Sequence, residues 1–207
     1  MSATRTLAIL LFMVARFVSP AEAQYMPSPH ELDRWVAGVG DARECEVCHV
    51  LATGQPSDPA WMTSLPAAAR YRVYGEDRRS RTLDAIVGPP DGSSLMCLSC
   101  HDGTAASDIG HSPRPVGSDL SDDHPISFVY DSDLAARDGF LADPSTEVIA
   151  LQALDGRLLS GTIEQLLLEG GKVQCVSCHD AHDRFGQRSL LKVTDERSVL
   201  CEVCHRK

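Results

Sequence analysis

The chain has 207 residues, with 29 acidic side chains against 19 basic ones and a formal charge of −10. A balance so acidic argues against nucleic acid or an anionic membrane surface as a partner, and leaves a basic protein partner or simple solubility as what the charge serves. Aromatic residues make up 5 % of the chain and the mean hydropathy is slightly negative.

The N-terminus reads as an export signal. Arg5 supplies a positive start, Leu7 to Ala15 a short apolar run, and Ala21-Glu22-Ala23 a cleavage site of the A-x-A type. Arg16 interrupts the apolar run, whereas a membrane-spanning helix needs about 20 apolar residues. Residues 1–23 are therefore expected to be removed, leaving 24–207 as the working domain with no transmembrane segment. The alternative is a retained N-terminal anchor. No cysteine follows the cleavage site, so no lipid anchor is expected there.

Beyond it, Ser28 as N-cap, Pro29 at the first helical position and Glu31 at the third predict a helix through Trp35, stopping near Gly38 to Gly40. Residues 52–94 are rich in proline, glycine and charge and are expected to be coil and short turns. Residues 102–133 read similarly, with Pro113, Pro115 and Pro125 preventing long helices. From Glu147 to Leu159, loose apolar alternation on both sides of Asp155-Gly156 predicts a small β-hairpin. Thr162 with Gln165 predicts a capped helix ended by Gly170-Gly171, and a last short helix should start near Asp195. No internal boundary divides the chain.

The cysteines carry the chemistry. There are eight, in four pairs: Cys45 and Cys48, Cys97 and Cys100, Cys175 and Cys178, and Cys201 and Cys204. Each pair encloses two residues and is followed at once by a histidine: His49, His101, His179 and His205. This is the C-x-x-C-H pattern of covalent c-type haem attachment. Residues i and i+3 share one face of a helical turn and i+4 lies almost above i, so two thiols can reach the vinyl edge of a porphyrin while the histidine binds iron from below. Two zinc sites of four cysteines each would leave four adjacent histidines unexplained. A disulfide framework would explain neither the histidines nor the identical spacings. Four covalently bound haem c groups are expected. The fold should be haem-packed, mostly coil, with short α-helices and at most a small β-hairpin; its loops are long because porphyrins occupy volume that side chains would fill. Export agrees with this reading, since c-type haem is attached outside the cytoplasmic membrane.

Four further histidines remain: His30, His111, His124 and His182. One for each iron would make every haem bis-histidine, low-spin and closed to substrate. His182 follows His179 too closely to return to the same iron, but can reach a neighbouring one. His124 is held extended by Pro125. His30 sits on the first turn of the predicted helix, and His111 in a Gly-His-Ser-Pro loop. If His111 does not serve, Met62 or Met96 could, or one iron is open.

The run Cys97-Leu98-Ser99-Cys100-His101-Asp102-Gly103-Thr104, the stretch Asp119 to Phe128 around His124-Pro125-Ile126, and the span from Gln174 through His182 to His205 resemble a family of exported multihaem cytochromes with doubled C-x-x-C-H motifs. Pro29-His30-Glu31-Leu32 fits as well. The resemblance implies a haem-packed fold, bis-histidine ligation and long-range electron transfer, in some members onto external acceptors. Members often carry a further histidine three residues beyond the first motif, where this chain has Ala52.

Some similar tetrahaem cytochromes polymerise into extracellular filaments in which one subunit supplies an axial histidine to the next. His30, close to the expected mature N-terminus, could serve a neighbour in such a homopolymer or a haem of its own subunit. The expected function is electron transfer with redox partner proteins, as a periplasmic or extracellular carrier or a filament subunit, rather than catalysis. A multihaem reductase with one open haem is the alternative, although no motif has the C-x-x-C-K form of some such enzymes.

Overall fold

The computed structural model describes His30 and residues 71–74, 83–103 and 116–206. The first C-x-x-C-H motif, His111 and all of the predicted first helix except His30 lie outside these residues; His30 itself is in a turn.

The first described helix, α1, runs Gly92–His101 and carries the second motif. It begins before Ser94, where coil was expected to continue. It is held from outside its own sequence: the Ser93 amide donates to the Glu169 carboxylate at 3.3 Å, satisfying one of the amides that a helix start leaves unpaired. Leu98, 1 % exposed, faces inward against Tyr71 and Leu120.

Strand β1, Phe128–Val129, pairs antiparallel with β4, Lys172–Val173, with Phe128 opposite Val173. Between them lies helix α2, Ser132–Asp138, capped by the Asp131 carboxylate, which accepts from the Leu134 amide at 2.8 Å. It ends at Gly139, whose φ of 75° is a conformation that costs glycine little. Neither α2 nor the two-residue pairing was expected from the sequence.

The predicted hairpin is present. Strands β2, Val148–Gln152, and β3, Leu158–Thr162, pair antiparallel across Asp155-Gly156, where Gly156 takes φ 85°. Thr162 then starts α3, Ile163–Leu167, with the predicted capping box: its hydroxyl accepts from the Gln165 amide, and the Gln165 side chain accepts from the Thr162 amide. The helix stops at Leu167, short of the Gly170-Gly171 end expected for it, and both glycines take positive φ in the turn that follows.

Helix α4, Cys175–Cys178, opens the third motif. Single 3-10 turns at Arg188–Leu190 and Glu196–Ser198 lead to α5, Val199–Glu202, in the fourth motif. Among the described residues the architecture is mostly coil with short helices and a small hairpin, as the sequence predicts, with the β1–β4 pair in addition.

A side-chain core lies among the hairpin, α2, α3 and the β1–β4 pair. Ile163 is fully buried at its centre, with Phe128, Leu134, Leu151 and Leu167 around it. Each such side chain contributes about 1.5–3 kcal/mol by leaving water. Cys204 packs against the rim of this core, so the fourth motif is seated on it. No helix among the described residues is long and apolar enough to cross a membrane.

Candidate functional site

Each described motif is wound into a helical turn. The His179 amide returns to the Cys175 carbonyl at 3.0 Å, and the His205 amide to that of Cys201 at 2.9 Å. Cys97, Cys100 and His101 form the last turns of α1. First thiol, second thiol and histidine therefore share one turn in each case, the arrangement that attachment of haem c demands. None of the six described cysteines is joined in a disulfide. No three or more cysteine, histidine or carboxylate side chains among the described residues converge on one point where an ion could sit.

The second and third motifs are locked together through Gln174, which is 3 % exposed. Its side-chain oxygen accepts from the hydroxyls of Ser94 in α1 and Ser127 before β1. Its side-chain nitrogen donates to Asp91 at 2.7 Å, and Lys172 pairs with the same carboxylate. The Ser94 hydroxyl in turn accepts from the Cys175 amide at 2.9 Å. Every group in this buried network has a partner, which is what makes it rigid rather than costly.

The thiol of Cys97, on the neighbouring motif, draws Cys175 down to about 7, although burial opposes it. Burial, then the nearby Cys175, pushes Cys178 up, and Cys201 adds to the same effect. Burial and then Cys178 push Cys204 up to about 11. The three described motifs therefore neighbour one another in chain order.

The histidines divide between those attached to the motifs and those that return from elsewhere. The His30 and His101 rings are 6.0 Å apart between centres, with planes at 89°. The His124 and His205 rings are 6.4 Å apart at 76°. Burial, and after it His101, lowers the His30 pKa; burial, and after it His179, lowers that of His101. Both shifts favour the neutral form, the one that binds metals. His30 also lies close to His179 and His182.

Two rings have their tautomer set by a carbonyl, which can only accept. His124 Nδ1–H donates to the Pro125 carbonyl and His179 Nδ1–H to that of Ser189, each at 2.9 Å. In both, Nε2 keeps its lone pair for a metal. His182 places Nδ1 3.9 Å from a carboxylate oxygen of Asp180. The Asp180 carboxylate beside it is the main cause that raises its pKa.

Two further carboxylates belong to the site. Asp102 and Asp180 each follow the histidine of a motif directly, and they are 6 % and 4 % exposed. The Tyr71 hydroxyl donates to Asp102 at 3.0 Å. Arg184 donates to both oxygens of Asp180 through its side chain, and again through its backbone amide. The repeated Cys-His-Asp triplet was visible in the sequence and would have marked both. Gln174, directly before Cys175, carried no comparable mark.

Residues 168–207 match the family described as the doubled CXXCH motif, a span that holds the third and fourth motifs. No curated protein matches the chain.

Proposed function

We propose that this chain, whose doubled CXXCH motif points to a multihaem c-type cytochrome with covalently bound haem c, is an exported tetrahaem electron carrier with two histidines on every iron. Cys45 and Cys48, Cys97 and Cys100, Cys175 and Cys178, and Cys201 and Cys204 hold the haems. His49, His101, His179 and His205 are the proximal ligands, and His30, His111, His124 and His182 the distal ones. Bound haem supplies one-electron chemistry. The polypeptide sets the spacing and orientation of the groups and tunes them through ligands, burial and charge.

One observation carries this reading: the amide of Cys175 and the side chain of Gln174 before it both bond Ser94, in the helix that carries Cys97. Haems attached at the second and third motifs would be held as neighbours by these buried bonds around Gln174 and Ser94. Rigidly held neighbours serve the hopping of electrons, a task in which little should move. The acidic charge suits docking to a basic redox partner, whether the chain works as a single carrier or as a subunit of a filament.

The test is the full chain, matured in a host that attaches haem c after export. Pyridine haemochrome and intact mass should give four haems on a chain shortened at Ala23. The oxidised protein should be wholly low-spin, and the reduced protein should not bind carbon monoxide. Fewer haems would refute the tetrahaem reading. A high-spin, carbon monoxide-binding haem would replace the carrier by a reductase with an open iron.

A further inference from the structure

We infer that His30 and His124 close two haem centres within a single chain, His30 opposite His101 and His124 opposite His205. The inference rests on the reading that the motifs carry haem, and goes beyond it by assigning which returning histidine belongs to which motif.

The argument is one of distance. An imidazole nitrogen sits about 2.0 Å from its metal and the ring centre about 1.1 Å further, so two imidazoles on opposite faces of one ion have centres about 6.2 Å apart. Rotation of the planes about that axis leaves the separation unchanged. The two observed separations, 6.0 and 6.4 Å, fall on either side of this value. Each joins a motif histidine to one from a distant part of the chain, and the two pairs share no residue. Ordinary ring packing could give one such distance. It would not select, in both cases, one histidine of a C-x-x-C-H motif and one of the four that lie outside the motifs.

Local structure supports the second pair independently. The Pro125 carbonyl takes the Nδ1 proton of His124 and leaves Nε2 free to bind. Pro125 also restricts the backbone of His124, so little ordering remains when iron arrives. The Leu141–His205 bridge and the bond from the Ala142 amide to the Cys204 carbonyl, 2.8 Å, fix the other partner.

Two consequences follow. By count, His111 and His182 are left for the irons of His49 and His179. His30 is used at home, so any filament of this chain must join its subunits through some ligand or surface other than His30.

The test is a set of double substitutions in the matured full-length protein, read by integrated low-temperature EPR together with a haem count. His30→Ala and His101→Ala should each alter one haem, and the double variant should still alter only one. His124→Ala with His205→Ala should behave alike, whereas His30→Ala with His205→Ala should alter two. If His101→Ala prevents attachment of its haem, adding His30→Ala should change none of the remaining haems. Two altered haems in either proposed pair would overturn the assignment. So would high-spin signal appearing in the wild type on dilution to a single chain, which light scattering would establish. A wild type with fewer than four haems would instead count against the tetrahaem reading itself, so the two failures are distinguishable.

Discussion

The backbone amide of Cys175 donates to the side-chain hydroxyl of Ser94 at 2.9 Å, and Ser94 is completely buried. One residue belongs to the helix of the second motif and the other is the first thiol of the third. The bond therefore sets the spacing of two attachment sites, and Gln174 holds Ser94 in position for it.

Replacing Gln174 with leucine should expose the importance of this network. The change strands the buried hydroxyls of Ser94 and Ser127 and should cost about 1–3 kcal/mol. Gln174→Glu should be worse, since a second carboxylate would face Asp91 where the amide nitrogen now donates. Guanidinium unfolding of the haem-loaded protein measures the loss. Soret circular dichroism should also lose the coupling between neighbouring haems; a retained signal would mean that the network does not set their spacing.

Asp180 makes stability depend on acid. Burial works against its charge, but the neighbouring His182 and the hydrogen bonds from Arg184 outweigh it and hold the carboxyl well below its ordinary value of 3.8. A folded value below the unfolded one means that the stabilisation is fully present above the ordinary value and is lost as pH falls below it. Asp180→Asn should therefore lower the melting temperature most near neutrality and progressively less towards about pH 3. A deficit that stays constant with pH would assign the effect to packing alone.

Ile163 tests whether the side-chain core stands apart from the cofactors. It is fully buried among residues of the hairpin, α2 and α3. Ile163→Ala should cost about 2–5 kcal/mol by leaving a cavity. Haem count and ligation spectra should not change. A loss of haem would show that the core is needed for attachment itself.

Thr162→Ala removes the hydroxyl that caps α3 and should cost about 1 kcal/mol, read as a lower unfolding midpoint. Thr162→Ser keeps the oxygen and should recover most of the difference. Equal losses in both variants would attribute the effect to the methyl group rather than the cap.

The features legible from the chain alone are those written within a few consecutive residues. A C-x-x-C-H motif needs a single helical turn, so its residues and its chemistry can be read without knowing the fold. The hairpin at Asp155-Gly156 and the capping box of Thr162 and Gln165 are local in the same sense, because turn conformation and end-capping are settled by near neighbours. The β1–β4 pair was not legible, since strands of two residues carry no periodicity. Helix α2 was missed although its N-cap Asp131 and its terminal Gly139 are both local signals. Which motif lies beside which, the role of Gln174, and the meeting of His30 with His101 and of His124 with His205 were decided only in three dimensions. Each joins segments far apart in the chain, and spacing along a sequence does not determine which distant loops return to the same place. Burial and the shared hydrogen bonds around Gln174 and Ser94 determine that, and they exist only once the chain has folded.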